Sequence, residues 1–340
     1  MNTYYPIHIL VAVPCPPSIR DRFSTQFGSQ CHFTFINSSQ TIPESLLRHT
    51  DVIIGEPDEP DLLKAPRLKW LQLTWAGADK YARMKRLPSH LTITNASGAF
   101  GIIISEYVIG TIIALYRSFS VYSHHQAAHT WLPSDNCGTI YKKTVLILGT
   151  GDIGSSLAHR LKAFDTSIIG FRRHPNHRAL PDFDEVIGSD QLDLKLKTAD
   201  IVVGCLPNTS ETIGLLDEKR LRLMKKEALL INVGRGSLIK NDALLHVLKE
   251  GHLKGVALDV SEIEPLPKAS PLWDLPNVFI TPHIAGPSFG GNTDVEQAIW
   301  NLCFENIERF LAGQVLNHIV DLRQGYLLLF LNIFHRDEFL

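Results

Sequence analysis

No stretch of this 340-residue chain reaches the ~18 consecutive apolar residues that a bilayer-spanning helix requires. The N-terminal run Ile7-His8-Ile9-Leu10-Val11-Ala12-Val13 has no basic segment before it and no small-residue cleavage site after it. Prolines follow at once, so it reads as a buried first strand and not as a secretion signal. Cysteine is scarce. Cys15, Cys31, Cys137, Cys205 and Cys303 are odd in number and form no C-x-x-C pair, which indicates neither a disulfide framework nor a zinc site. A reducing, cytoplasmic setting fits that usage. A strong charge of either sign is absent too: the net charge of −2 gives no footprint for nucleic acid, and no membrane partner is indicated. There is no internal repeat and no low-complexity segment.

What is present is the balance of a globular protein, 44% hydrophobic and 20% charged, in a length that suits two domains. Apolar strand-like runs alternate with helical stretches, the pattern of α/β domains with parallel sheets. In the first hundred residues the predicted strands are 7–13, 32–36, 52–55, 71–73 and 91–94. The segment 101–119, GIIISEYVIGTIIALYRSF, is apolar almost all round and predicts a buried helix that joins two domains or builds a subunit interface. A second unit starts at Thr144, with strands at 145–148, 167–171, 201–205, 228–232, 255–258 and 278–281. A last helix over 294–312 returns the chain towards its start. The tail after Tyr326, LLLFLNIFHRDEFL, is expected to pack on the first domain, because an exposed apolar end invites aggregation.

Thr144 to Gly154 reads TVLILGTGDIG: an apolar strand, then Gly149-x-Gly151-x-x-Gly154, then a helical pattern. Such glycines permit a tight turn, let a pyrophosphate approach the backbone and let helix and strand pack closely. The helix N-terminus then offers free N–H groups to the phosphate charge. A plain strand–turn–helix is the bland alternative. The next strand ends in Phe171-Arg172-Arg173-His174, where an NAD enzyme carries an acid for the ribose hydroxyls. Asp165 and Asp182 lie before the strand and well past it, so neither replaces that acid. Two guanidiniums suit a 2′-phosphate, which points to NADP(H), with NAD as the lesser option. A solvated basic turn is the alternative.

Three later segments carry unusual residues at strand ends. Arg235 stands between Gly234 and Gly236, able to hold a carboxylate and a carbonyl oxygen through its fork, or else paired to a nearby acid. Asp259 ends a strand and Glu264 precedes Pro265, in what could also be a surface acidic loop. His283 follows Pro282 at the end of another strand. Reducing a 2-oxo acid needs a cation for the carboxylate and ketone, a hydride donor and a general acid. His283 can supply that proton near neutral pH, and Glu264 beside it would stabilise the imidazolium.

Taken together, LGTGDIG, INVGRGSLI, GVALDVSEIEPLP and NVFITPHIAG resemble the D-isomer-specific 2-hydroxyacid dehydrogenase family, from about Leu68 to Tyr326. The resemblance implies Arg235 as the substrate-binding arginine, Glu264 as the acid paired to the histidine and His283 as proton donor. It implies Asp259 at the nicotinamide carboxamide, with Asp152, Ile153, Pro207 and Val233 also at the cofactor. Trp75-Ala76-Gly77-Ala78-Asp79 matches the loop whose backbone N–H groups hold the substrate carboxylate; Trp75, Ala76 and Gly77 are the expected contacts. The implied fold is two doubly wound, Rossmann-like or flavodoxin-like parallel-sheet domains with the active site in the cleft between them. The expected substrate domain is 1–98 with 293–340, and the dinucleotide domain is 99–292.

Arg172 in place of the family's usual Asp resembles the NADP-preferring glyoxylate/hydroxypyruvate reductase members. Asp165 stands where a Gly is usual, and Asp tolerates positive φ better than most residues. The alternatives are a dehydrogenase of the family for bulkier 2-oxo acids and a dinucleotide-sensing scaffold like its co-repressor branch. Formate dehydrogenases resemble a Gln–Pro pair where this chain has Glu264-Pro265. The family also implies a homodimer through 101–119, with Trp131 near the neighbouring active site.

Overall fold

The computed structural model describes residues 6–37, 41–134, 137–175, 180–290, 293–322 and 326–327. The part of the apolar tail beyond Leu327 lies outside them. The chain divides into two compact units, Met1–Ala99 with Ser288–Leu340, and Phe100–Pro287.

The first unit is built on a five-stranded parallel sheet in the order β2-β1-β3-β4-β5. Its strands are β1 (Ile7–Val11), β2 (Cys31–Phe35), β3 (Val52–Ile54), β4 (Trp70–Gln72) and β5 (Thr92–Thr94). One face buries Leu10, Ile53, Leu71 and Ile93 in a common core. The helix Thr293–Leu311 joins this unit despite its distance in sequence. Phe304 stacks on Phe23 with ring centroids 4.5 Å apart, and the Asn306 amide donates to Gln72 Oε1 at 2.8 Å, deep in the unit.

The second unit has a seven-stranded parallel sheet in the order β12-β11-β10-β9-β6-β7-β8. The strands are β6 (Thr144–Leu148), β7 (Ser167–Phe171), β8 (Glu185–Ile187), β9 (Ile201–Gly204), β10 (Leu229–Asn232), β11 (Gly255–Leu258) and β12 (Val278–Ile280). Val145 to Leu148 are fully buried, as central strands covered on both faces must be. The chain runs from β6 to β7 and β8 on one side, then returns to β9 on the other. That reversal puts a topological switch point at the carboxyl end of β6, where open α/β sheets bind ligands.

Two expectations need correction. The helix predicted over 101–119 ends at Tyr116; Ser118 takes the left-handed conformation (φ 54°) and a second helix, Phe119–Ala127, starts beyond it. Nor is the first helix buried all round. Ile104, Val108, Ile112 and Tyr116 form a buried stripe at helical spacing, while Ile102 is 59% exposed. Strand β8 lacked any apolar run: it is three residues at the sheet edge, opened by Glu185. Among the described residues no single helix is long and apolar enough to cross a membrane.

Candidate active site

The glycine turn after β6 is dictated by close approaches. Gly149 has φ 110°, and a Cβ there would lie 3.0 Å from the Cys205 carbonyl oxygen at the end of β9. A Cβ on Gly154 would lie 1.9 Å from Gly149 O, so only glycine lets the helix start this near the strand. Gly151 differs: a Cβ there would meet nothing within 4 Å. It is the N-cap of the helix Asp152–Leu161 and offers no side-chain cap. The first N–H groups of that helix, those of Asp152 and Ile153 among them, have no acceptor inside the helix. An open, uncapped helix start beside a backbone without side chains fits a dinucleotide pyrophosphate.

The basic turn after β7 is divided in its partners. The Arg172 backbone N–H donates to Ile187 O at 3.1 Å, and among the described residues its half-buried side chain forms no ion pair. The Arg173 guanidinium, in contrast, pairs with Glu211. Asp182 is held by His159 at 3.1 Å, and Asp165 takes φ 53° at the entry to β7.

The loops after β9, β10, β11 and β12 are stapled to one another. A Cβ on Gly234 would lie 2.7 Å from Leu206 O, and one on Gly236 would lie 1.8 Å from Ser261 O. The glycines beside Arg235 are therefore there for backbone-on-backbone packing against the loops on either side. The buried Asn232 side chain braces this turn, donating to Arg235 O at 3.0 Å and accepting from Gly234 N at 3.3 Å. Arg235 itself is extended and half-buried, and its Nη1 donates to Gly234 O at 2.8 Å. Val233 is buried just before it, and Pro207 lies half-buried in the loop after β9.

The loop bearing His283 is held by Asp259. The buried carboxylate accepts from Thr281 Oγ1 at 2.7 Å, Ile284 N at 2.8 Å and Ala285 N at 3.0 Å, while Asp259 O accepts from His283 N at 2.8 Å. These bonds hold His283 at φ 57°, a conformation that needs outside support in a residue with a Cβ. The ring's Nδ1 meets Glu264 Oε2 at 2.9 Å, and Glu264 Oε1 accepts from Ser261 N at 3.0 Å. The pair is open to solvent, with side chains 55% and 39% exposed. With Nδ1 engaged, Nε2 is the ring nitrogen left for proton exchange.

Tyr107 was not legible as a site residue. Its hydroxyl lies 2.6 Å from Thr281 Oγ1. Because the Thr281 proton is committed to Asp259, the phenol is the donor, giving a relay Tyr107→Thr281→Asp259 beneath the histidine loop. Burial pushes the Tyr107 phenol above its usual range. Only the placement of the helix Gly101–Tyr116 beside Thr281, just past β12, reveals this contact, and no motif encodes it.

In the first unit, the Trp75–Gly77 loop follows β4. Asn95 Nδ2 donates to Ala76 O at 2.6 Å and Ala96 N to Trp75 O at 3.0 Å, while Trp75 itself is 52% exposed. Glu56 holds the residue before the loop, accepting from Thr74 N at 2.7 Å and Thr74 Oγ1 at 2.8 Å. Desolvation raises this carboxyl above the usual range, against the pull of those hydrogen bonds.

Comparison with known proteins bears on the chemistry. The sequence model of the family described as D-isomer specific 2-hydroxyacid dehydrogenase, NAD binding domain, matches residues 109–285. A glyoxylate reductase of Thermofilum pendens is 33% identical over 259 residues, covering 74% of this chain and 74% of that protein. A D-isomer specific 2-hydroxyacid dehydrogenase family protein from Aeromonas salmonicida subsp. salmonicida superposes with a TM-score of 0.84 at 33% identity, covering 94% of this chain and 100% of that one. An NADPH-dependent glyoxylate/hydroxypyruvate reductase from Sinorhizobium meliloti, solved with NADP and sulfate, gives a TM-score of 0.78 at 27% identity over 94% of this chain and 100% of its own.

Proposed function

The chain belongs to the D-isomer specific 2-hydroxyacid dehydrogenase family, an NAD(P)-dependent oxidoreductase family, and on that footing we propose that it reduces a small 2-oxo acid, such as glyoxylate or hydroxypyruvate, to the D-2-hydroxy acid with NADPH. The observation that carries this reading is the His283–Glu264 pair, set at a strand end by the Asp259 carboxylate. Bound dinucleotide supplies the hydride. Arg235 takes the substrate's carboxylate and carbonyl oxygen and draws charge onto that oxygen. His283 donates the proton from Nε2 as the alkoxide develops, and Glu264 holds the ring in place by its bond to Nδ1. In the first unit, the backbone N–H groups of Trp75, Ala76 and Gly77 are assigned the substrate carboxylate. Gly149, Gly151, Asp152, Ile153 and Gly154 are assigned the pyrophosphate, Arg172 and Arg173 the 2′-phosphate, and Pro207, Val233 and Asp259 the nicotinamide half. Three protein donors already occupy the Asp259 carboxylate, which leaves about one of its roughly four acceptor positions for a carboxamide.

The test is a panel of 2-oxo acids assayed with both reduced cofactors. A charge-assisted bond from a guanidinium to the 2′-phosphate contributes about 1.5–3 kcal/mol, so about tenfold or higher kcat/KM is expected with NADPH. Equal values for NADH and NADPH would remove the cofactor assignment, and no turnover of any 2-oxo acid would remove the reaction.

A homodimer and a cytoplasmic location complete the proposal. Five cysteines without a pairing pattern support the location. Ile102, Phe119, Trp131 and Leu132 leave 59%, 55%, 102% and 57% of their surface exposed around the helix 101–116 and the segment beyond it. A second copy would cover that apolar area, with Trp131 directed towards the neighbouring active site. Sedimentation at micromolar concentration is expected to give the dimer; a monomer rejects it.

A further inference from the structure

We propose that Glu211 sets the strength of cofactor discrimination by holding Arg173 away from the 2′-phosphate; this rests on the NADP reading above. The sheet order places β7 and β9 on either side of β6. Arg173 follows β7, Glu211 lies in the turn after β9, and their ion pair therefore bridges the two strand ends that flank the glycine turn. The turn carrying Glu211 is built by its own hydrogen bonds: Thr209 N donates to Thr212 Oγ1 at 2.8 Å, and Thr212 Oγ1 donates to Pro207 O at 2.6 Å. Glu211 is thus presented from a defined turn that also carries Pro207, a proposed cofactor contact.

The consequence is electrostatic. A 2′-phosphate arriving at Arg172 and Arg173 must displace or share the Glu211 carboxylate, and it feels that carboxylate's like charge. A dinucleotide with a free 2′-hydroxyl meets neither penalty. Glu211 therefore weakens the phosphorylated ligand selectively, the use of a repulsive element to tune specificity. The pair is partly exposed, 34% and 59%, so the effect is modest.

The experiment measures equilibrium binding of 2′,5′-ADP and 5′-ADP by calorimetry to the wild type, Glu211→Gln, and Glu211→Gln with Arg173→Ala. These fragments need no substrate and no turnover. Glu211→Gln is expected to tighten 2′,5′-ADP about three- to fivefold and to leave 5′-ADP within about twofold. Adding Arg173→Ala is expected to remove most of the gain, leaving the part that comes from relief of the like charge. Unchanged or weaker 2′,5′-ADP binding in Glu211→Gln overturns the proposal, and so does an equal change for both ligands, which would make the ion pair a clasp without specificity. A gain undiminished by loss of Arg173 also overturns it. If the wild type shows no preference for 2′,5′-ADP while Glu211→Gln acquires one, the NADPH reading fails and the role of Glu211 stands.

Discussion

Replacing His283 with alanine is expected to lower 2-oxo acid reduction by about 10²- to 10⁴-fold and to leave dinucleotide binding nearly unchanged. The expected loss follows from the position of the ring. Nδ1 is held by Glu264 at 2.9 Å and the backbone is held by Asp259, which leaves Nε2 as the proposed proton donor. An alanine at φ 57° adds backbone strain, so His283→Asn is the companion variant: Asn tolerates the left-handed region and cannot act as the acid. Glu264→Gln separates charge from geometry, because the amide oxygen can still accept from Nδ1 but carries no charge. The pair is 55% and 39% exposed, which limits its strength to about 0–1 kcal/mol, so this variant is expected to lower kcat/KM by no more than about fivefold. Unchanged kcat/KM in Glu264→Gln would leave Glu264 with orientation alone, and full activity in both His283 variants would end the assignment of the acid.

The glycine turn after β6 was legible because each glycine answers a local demand: a positive φ at Gly149, a 1.9 Å approach at Gly154 and an open face at Gly151. Arg235 was legible as an oddity, but for a different reason from the one the structure supplies. The flanking glycines drew attention to the side chain between them, whereas they are required by the backbones of Leu206 and Ser261. Those partners come from other strands, so they follow from sheet order and not from local spacing. The same holds for Tyr107, whose bond to Thr281 spans 174 residues, and for Glu211, which reaches Arg173 only because β9 and β7 flank β6. Strand β8 escaped because an edge strand of three residues needs no apolar run. The helix break at Ser118 escaped because a left-handed serine has no composition signal to announce it.

Arg235→Lys is expected to lower kcat/KM for the 2-oxo acid by about 10- to 100-fold, with dinucleotide affinity little changed. The charge survives this change, so a purely electrostatic role would tolerate it. The planar fork does not survive it. In the structure one arm, Nη1, donates at 2.8 Å to Gly234 O, which sets the plane of the guanidinium relative to its own turn. A lysine ammonium has no plane to set and cannot address a carboxylate and a carbonyl oxygen with parallel donors. Losing one charge-assisted bond at about 1.5–3 kcal/mol gives the predicted range. The turn should still form, because Asn232 braces the backbone on both sides of the side chain and Gly234 and Gly236 are untouched. Thermal unfolding should therefore match the wild type, which separates a lost contact from a lost fold. On the proposed role, in which the fork acts on the carbonyl as charge develops there, kcat should fall along with the rise in KM. A variant that loses only KM would confine Arg235 to holding the carboxylate, and one with wild-type kinetics would make it a structural arginine.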